Sequence, residues 1–364
     1  MFSSDVGSMP PRISVDALWR GARKSTSMLP LLGLTDDAYD KYKNEIVTIF
    51  ADKVKAGVDI PNYPQLRDMN EMFFELISGY EKHEDAYIAH DKIKPIGKPV
   101  IPETEVIKHE SSTIRYIANV DKIRVKTCVT GPYTLASFFK HKTPSLLEEL
   151  GHCIAVILRE SFYRNKTSEM CHVSIDEPVL GFLNDPLLDY GAEGREALLR
   201  AWEEIAYAGA SRGLDVSMHL HNTSEGLFWD VEHLGLVGSH VDDPLYVQES
   251  TRRMLVERDK FLWVPVCITQ YDALIENYYM SRGFQGNMPE KVGLVWTDIR
   301  RGNVDPYAYL EDREVMRKRL VKVADFFGWD RLAYGSPECG FKGFPEYDVA
   351  LECLHRSSEV LSRI

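Results

Sequence analysis

The sequence predicts an α/β protein, a single-domain (β/α)8 TIM barrel with insertions. Two observations lead there. Short runs rich in β-branched residues alternate with longer stretches whose apolar residues recur every three to four positions, the order expected of parallel βαβ units. A chain of 364 residues also suits one such barrel with excursions. In order, the strand-like runs are FSSDVGS (2–8), GVDIPNY (57–63), KIRVKTCVTG (122–131), CHVSIDEP (171–178), LDVSMHLH (214–221), LGLVGSHV (234–241), VGLVWTDI (292–299) and RLAYGSPE (331–338). Helical periodicity marks residues 144–165, 194–213 and 311–329. Residues 83–118 read as an excursion between the second and third strands, and residues 258–290 as another. Within the latter, FLWVPVCITQ (261–270) is either an extra strand or part of the insertion, and periodicity does not decide between them.

Composition narrows the function classes. With 44% hydrophobic and 27% charged residues the chain has the balance of a soluble globular protein. No apolar run reaches the roughly 20 residues that span a bilayer, and MFSSDVGSMPPR lacks the plan of a signal peptide, so no membrane partner and a cytoplasmic location are expected. A net charge of -12 with no basic run argues against a nucleic-acid partner, because neutralising phosphates needs clustered Lys and Arg. The six cysteines show no CxxC spacing, which disfavours a disulfide framework or a zinc ribbon.

In a barrel of this kind the functional side chains gather where strands end. That rule selects Asp176 and Glu177, His219 and His221, His240, Asp298, Glu338 and Cys339. Two residues apart in a strand, His219 and His221 share a face. Taken alone, the HxH pair is equally an ordinary pair of hydrogen-bonded imidazoles. Joined by His240 and Cys339 from other strand ends, it makes four ligands of the types zinc accepts. Arg67 and Asp68 read as an ion pair at the mouth or as functional groups.

Four segments carry a resemblance: VGSMP (6–10), VTGPYTL (129–135), SIDEPVL (174–180) and SPECGFK (336–342). Together they resemble the catalytic barrel of the cobalamin-independent methionine synthase family, in the superfamily that includes uroporphyrinogen decarboxylase. The resemblance implies a zinc ion that takes up a thiol substrate as thiolate. Carried over by position, its ligands fall on His219, His221, His240 and Cys339, with a second register on His221, Thr223 and Asp242. Two of the four ligands differ in type from the family pattern, and three neutral imidazoles with one thiolate leave the ion a net charge of about +1. The resemblance further implies Asp176, Glu177 and Asp298 as catalytic groups, and Ser8, Tyr63, Gln65, Asp176 and Glu338 as substrate-binding groups. Where the family has an acid for the substrate ammonium group, this chain has Tyr63, Pro64 and Gln65. The expected function is zinc-dependent transfer of a methyl group to a small thiol such as homocysteine. The expected donor is methylcobalamin or methyltetrahydrofolate, with a corrinoid or methyl-donor protein as a partner. A metal-dependent hydrolase or lyase using the same His-rich site is the alternative, and a metal-free relative of the decarboxylase branch is a third reading.

Overall fold

The computed structural model describes residues 1–25, 36–182 and 184–363. Seven parallel strands form a curled sheet: β1 (Phe2–Ser3), β4 (Ile123–Thr130), β5 (Ser168–Glu177), β6 (Asp215–Leu220), β7 (Leu236–Gly238), β8 (Phe261–Cys267) and β9 (Leu332–Pro337). Their spatial order is β1-β9-β8-β7-β6-β5-β4. A separate antiparallel hairpin is made by β2 (Ile77–His83) and β3 (Ala86–Pro95). Residues 60–62 touch both edges of the large sheet, through the parallel bridges Ser4 to Ile60 and Asn62 to Lys126.

Helices on the outer face bury an apolar stripe against the strands. Helix Pro144–Ser161 starts where Thr143 accepts from the Leu146 N–H and Pro144 occupies the first turn, and it buries Leu147, Leu150, Ile154 and Leu158. Helix Glu193–Ala210 packs beside it and buries Leu198, Ala201 and Ile205. Glycine is required where these two helices meet: a Cβ on Gly151 would lie 2.5 Å from the Ala201 Cβ.

Polar side chains fill the concave face in levels. Lowest are His172, Trp263 and Tyr334, whose rings lie 5.9 Å (His172 to Trp263) and 4.5 Å (His172 to Tyr334) apart. Above them Lys126 Nζ donates to the Asp5 carbonyl at 2.7 Å and sits 3.9 Å above the Trp263 ring. Lys53, from helix Asp37–Lys55, is buried against the Asp5 carboxylate at 2.6 Å and donates to the carbonyls of Gly7 and Asn62. Asp176 on β5 and His219 on β6 are paired in register and form the top level.

Several expectations change. Residues 292–299 are not a strand: they lie in helix Met288–Arg300, capped by Asn287 with proline in its first turn. The helical spacing of the buried Val292, Val295 and Ile299 outweighs the β-branched content of the run. The strand in its place is β8, so residues 258–290 are not an insertion but carry a central stave of the sheet and the helix Tyr271–Met280. β8 is buried on both faces, which removes the alternation that would have marked it. The expected excursion at 83–118 begins inside the β2–β3 hairpin and ends in helix Pro102–Ala118, which packs on helix Asp37–Lys55. Residues 57–63 make isolated bridges rather than a ladder, because Pro61 and Pro64 cannot donate.

Candidate metal centre

Four side chains meet at the carboxyl ends of three strands. His219 is the penultimate residue of β6, His221 follows its end, His240 lies two residues beyond β7 and Cys339 two beyond β9. One ligand atom from each, three imidazole nitrogens and a sulfur, lies within 4.8 Å of all the others. The His221 and His240 rings are 4.2 Å apart, and Cys339 Sγ is 3.7 Å from His221 Nε2. The structure thus brings together the four residues that the strand ends singled out.

Electrostatics prepares the group for a cation. Burial lowers the pKa of all three imidazoles, that of His221 to about 4, so each offers a neutral lone pair. For His240, burial is opposed by the carboxylates of Glu338 and Asp243. Burial pushes the Cys339 thiol up to about 12, so a nearby positive charge is needed to hold it as thiolate. Nε2 of His219 and of His240 are buried and find no hydrogen-bond partner among the described residues. Each buried orphan costs about 1–3 kcal/mol, and a metal ion would remove both penalties at once. The N3S donor set fits zinc in its usual tetrahedral habit.

Neighbouring groups fix the ligand-bearing loops. Glu338 accepts from the Val241 N–H at 3.0 Å and the Thr269 N–H at 2.9 Å, tying the segments after β7 and β8 to the end of β9. Each of its oxygens thus accepts from the backbone, and the residue also edges the cavity beside His221 and His240. Asp243 accepts from the Ser239 hydroxyl and from the Thr223 N–H and hydroxyl. With Thr223 spent on Asp243 and Asp242 exposed, the second ligand register does not assemble. Ser8 lies against the Cys339 turn: Phe341 N–H donates to the Ser8 carbonyl at 2.9 Å, and a Cβ on Gly340 would sit 1.9 Å from Ser8 Oγ.

A cavity of about 560 Å³ opens beside His221 and His240, edged by Asn222, Asp242, Gln270 and Glu338. Asp176 is buried; Ser174 Oγ donates to it at 2.6 Å, and burial raises its pKa to about 6 against the pull of Lys126. Tyr63 is buried and donates its hydroxyl to the Cys128 carbonyl at 3.0 Å, which braces β4. Gln65 anchors its backbone N–H on the Gly7 carbonyl at 3.3 Å, while its buried Nε2 has no partner among the described residues.

A family profile described as "Cobalamin-independent synthase, Catalytic domain" matches residues 2–255. The chain belongs to this family, a family of methyltransferases. It is similar to the "Methionine synthase" of Methanothermobacter marburgensis, 28% identical over 312 residues that cover 85% of each chain. It is also similar to the "5-methyltetrahydropteroyltriglutamate--homocysteine methyltransferase" of Streptomyces griseus, 23% identical over 187 residues, half of this chain but only 24% of that longer one. Among solved structures, a B12-independent methionine synthase from a Shewanella species in complex with selenomethionine aligns over 99% of this chain and 97% of that one, with a TM-score of 0.59 at 13% identity. The corrinoid donor expected from the sequence is corrected by this membership, because the family is cobalamin-independent by description. Among the described residues, no helix is long and apolar enough to cross a membrane.

Two of the expected catalytic groups have other surroundings in this family member. Glu177 is buried beneath the turn after β4, where its Oε1 accepts from the Tyr133 N–H (3.0 Å) and Trp202 Nε1 (2.8 Å), and its Oε2 from the N–H (2.7 Å) and hydroxyl (2.6 Å) of Thr134. Burial pushes this carboxyl up to about 7, while all four donors favour its charged form. A carboxylate so fully occupied holds the turn. Asp298 lies on the helix Met288–Arg300, where its Oδ1 accepts from Asn303 Nδ2 at 3.2 Å, so the strand end that made it a candidate does not exist. Arg67 pairs with Glu103 through two bonds of 2.8 and 2.9 Å, and Asp68 instead accepts from the N–H groups of Asn70 and Glu71. Sequence reasoning missed Asp5, Lys53 and Lys126. For Lys126 the signal was a lysine in the middle of the strand-like run KIRVKTCV, where a buried ammonium needs partners.

Proposed function

We propose that the chain is a zinc-dependent methyltransferase that moves a methyl group from a folate-type donor to a small thiol such as homocysteine, on one closed (β/α)8 barrel. The closed barrel is supported by the bridges of Ile60 and Asn62, which would make that segment the missing stave between β1 and β4. The observation that carries the reading is the meeting of His219, His221, His240 and Cys339 within 4.8 Å, with two imidazole nitrogens buried and unpaired. When bound there, zinc supplies a Lewis acid that lowers the pKa of a thiol and holds it deprotonated at neutral pH.

The chain's own residues supply the rest. Glu338 and Asp243 hold the His240 segment so that its ring stays beside that of His221. The buried Asp176 offers a carboxylate to a hydrogen-bond donor of the acceptor, kept near the mouth by its bond from Ser174. Glu177 fixes the helix turn at residues 131–134 that forms the wall next to Asp176. The family membership favours methyl transfer over the hydrolase or lyase alternative.

The test is an assay of zinc-loaded protein with methyltetrahydropteroyltriglutamate and homocysteine, following methionine by mass. Turnover that vanishes in Cys339→Ala supports the reading. No methylated thiol from a protein that demonstrably holds zinc would remove it.

A further inference from the structure

A carboxylate with nothing to hold lines the cavity beside the ligand cluster. Asp242 is exposed, edges that cavity, and makes no hydrogen bond or ion pair through its side chain among the described residues. Its place is nevertheless fixed from both sides. Before it, the Val241 N–H donates to Glu338; after it, the Asp243 carboxylate accepts from the Ser239 and Thr223 hydroxyls and from the N–H groups of Thr223 and Leu245. A turn closes the segment, with the Asp243 N–H donating to the His240 carbonyl at 3.1 Å. A side chain presented from an anchored turn costs little further backbone ordering when it binds a ligand.

The charge around Asp242 selects the sign of that ligand. Three carboxylates, Asp242, Asp243 and Glu338, line the cavity, and among the described residues neither lysine nor arginine does. An anionic head entering there meets like charge without a cationic partner, and a cationic head is attracted. The kind of cation follows from which oxygens are free. Both oxygens of Glu338 and both of Asp243 already accept from N–H or hydroxyl groups of the fold. A divalent ion, which needs several open oxygen ligands, therefore finds one free carboxylate at this rim. An ammonium needs less: its three donors can be divided among Asp242, the amide oxygen of the exposed Gln270 that lines the same cavity, and water.

We propose that the thiol received beside the cluster is an aminothiol, that its ammonium rather than a carboxylate is what the cavity reads, and that Asp242 is the specificity-determining residue that receives it. This inference rests on the thiol-methyltransferase reading above. The experiment titrates zinc-loaded protein calorimetrically with three thiols built on the same three-carbon chain. They are homocysteine, 3-aminopropane-1-thiol, which lacks its carboxylate, and 4-mercaptobutyrate, which lacks its ammonium. The expected result is that 3-aminopropane-1-thiol binds within about twofold of homocysteine, and both at least about fivefold tighter than 4-mercaptobutyrate, the worth of one solvent-exposed ion pair. The isosteric Asp242→Asn, at an exposed position whose side chain holds nothing in the fold, should weaken both aminothiols by about fivefold and leave 4-mercaptobutyrate equal or tighter. Preference of the unmodified protein for 4-mercaptobutyrate, equal affinities for it and the aminothiols, or homocysteine about tenfold ahead of 3-aminopropane-1-thiol overturns the inference while leaving thiol methylation intact. Aminothiol affinities unaltered in Asp242→Asn overturn it likewise and make Asp242 a solvated surface charge only. Failure of all three thiols to bind a protein that holds zinc overturns both readings together.

Discussion

Replacing Glu177 with glutamine separates a holding carboxylate from a catalytic one. In the folded chain each oxygen of Glu177 accepts from two donors. An amide NH2 must take one oxygen's place. On the Oε2 side the Thr134 hydroxyl can turn and accept from the amide, leaving the Thr134 N–H without a partner; on the Oε1 side both the Tyr133 N–H and the Trp202 indole would be stranded. The cheaper orientation loses one buried bond outright and weakens the others by removing the charge, a total of about 3 kcal/mol. With an unfolding entropy of roughly 0.8 kcal/mol/K for 364 residues, the melting temperature should fall by about 4 °C. Differential scanning calorimetry measures this, and zinc content and turnover at 20 °C below the transition supply the control. Both should stay within about twofold of the parent protein, since Glu177 touches none of the four ligands. An unchanged melting temperature with turnover reduced a hundredfold would show that Glu177 acts on the substrate and that the holding role is wrong.

Further predictions follow from neighbouring contacts. Gly340→Ala drives a Cβ to 1.9 Å from Ser8 Oγ, and should cost about 1–3 kcal/mol in a thermal melt and weaken zinc retention against a chelator. Lys53→Met strands the buried Asp5 carboxylate and should lower stability by about 3–5 kcal/mol, while the double variant with Asp5→Asn should recover most of that in a denaturant titration. Asp298→Ala should change neither stability by more than about 0.5 kcal/mol nor turnover measurably, because among the described residues the carboxylate accepts one side-chain hydrogen bond, from Asn303 just past the end of its own helix. Zinc removal should lower the melting temperature by about 5 °C at a thousandfold saturating zinc, and His240→Ala should already show the lower value with zinc present.

Much of the site was legible in the sequence because strand period and strand ends are local properties. His219 and His221 share a face because two residues span one pleat, and the Asp176–Glu177 pair closes β5 where SIDEP says it should. What sequence could not separate was which of two adjacent carboxylates is free. Asp176 faces the chamber and Glu177, one residue on, faces away into the donors of the 131–134 turn, a distinction that depends on the residues that happen to fold against each side. The exchange of 292–299 for 261–267 has another cause. A strand buried on both faces and an apolar helix carry similar runs of valine and leucine, and Asn287 before Pro289 was the local mark of the helix. Lys53 and Lys126 stayed hidden because their partners, Asp5 and its carbonyl, lie 48 and 121 residues away.

X-ray absorption at the zinc edge, on protein purified with one equivalent of the metal, tests the central claim most directly. The account predicts a first shell of three nitrogens near 2.0–2.1 Å and one sulfur near 2.3 Å, with the sulfur lost in Cys339→Ser. A shell with two or more protein sulfurs, a shell of oxygens alone, or an unaltered spectrum in that variant would contradict it.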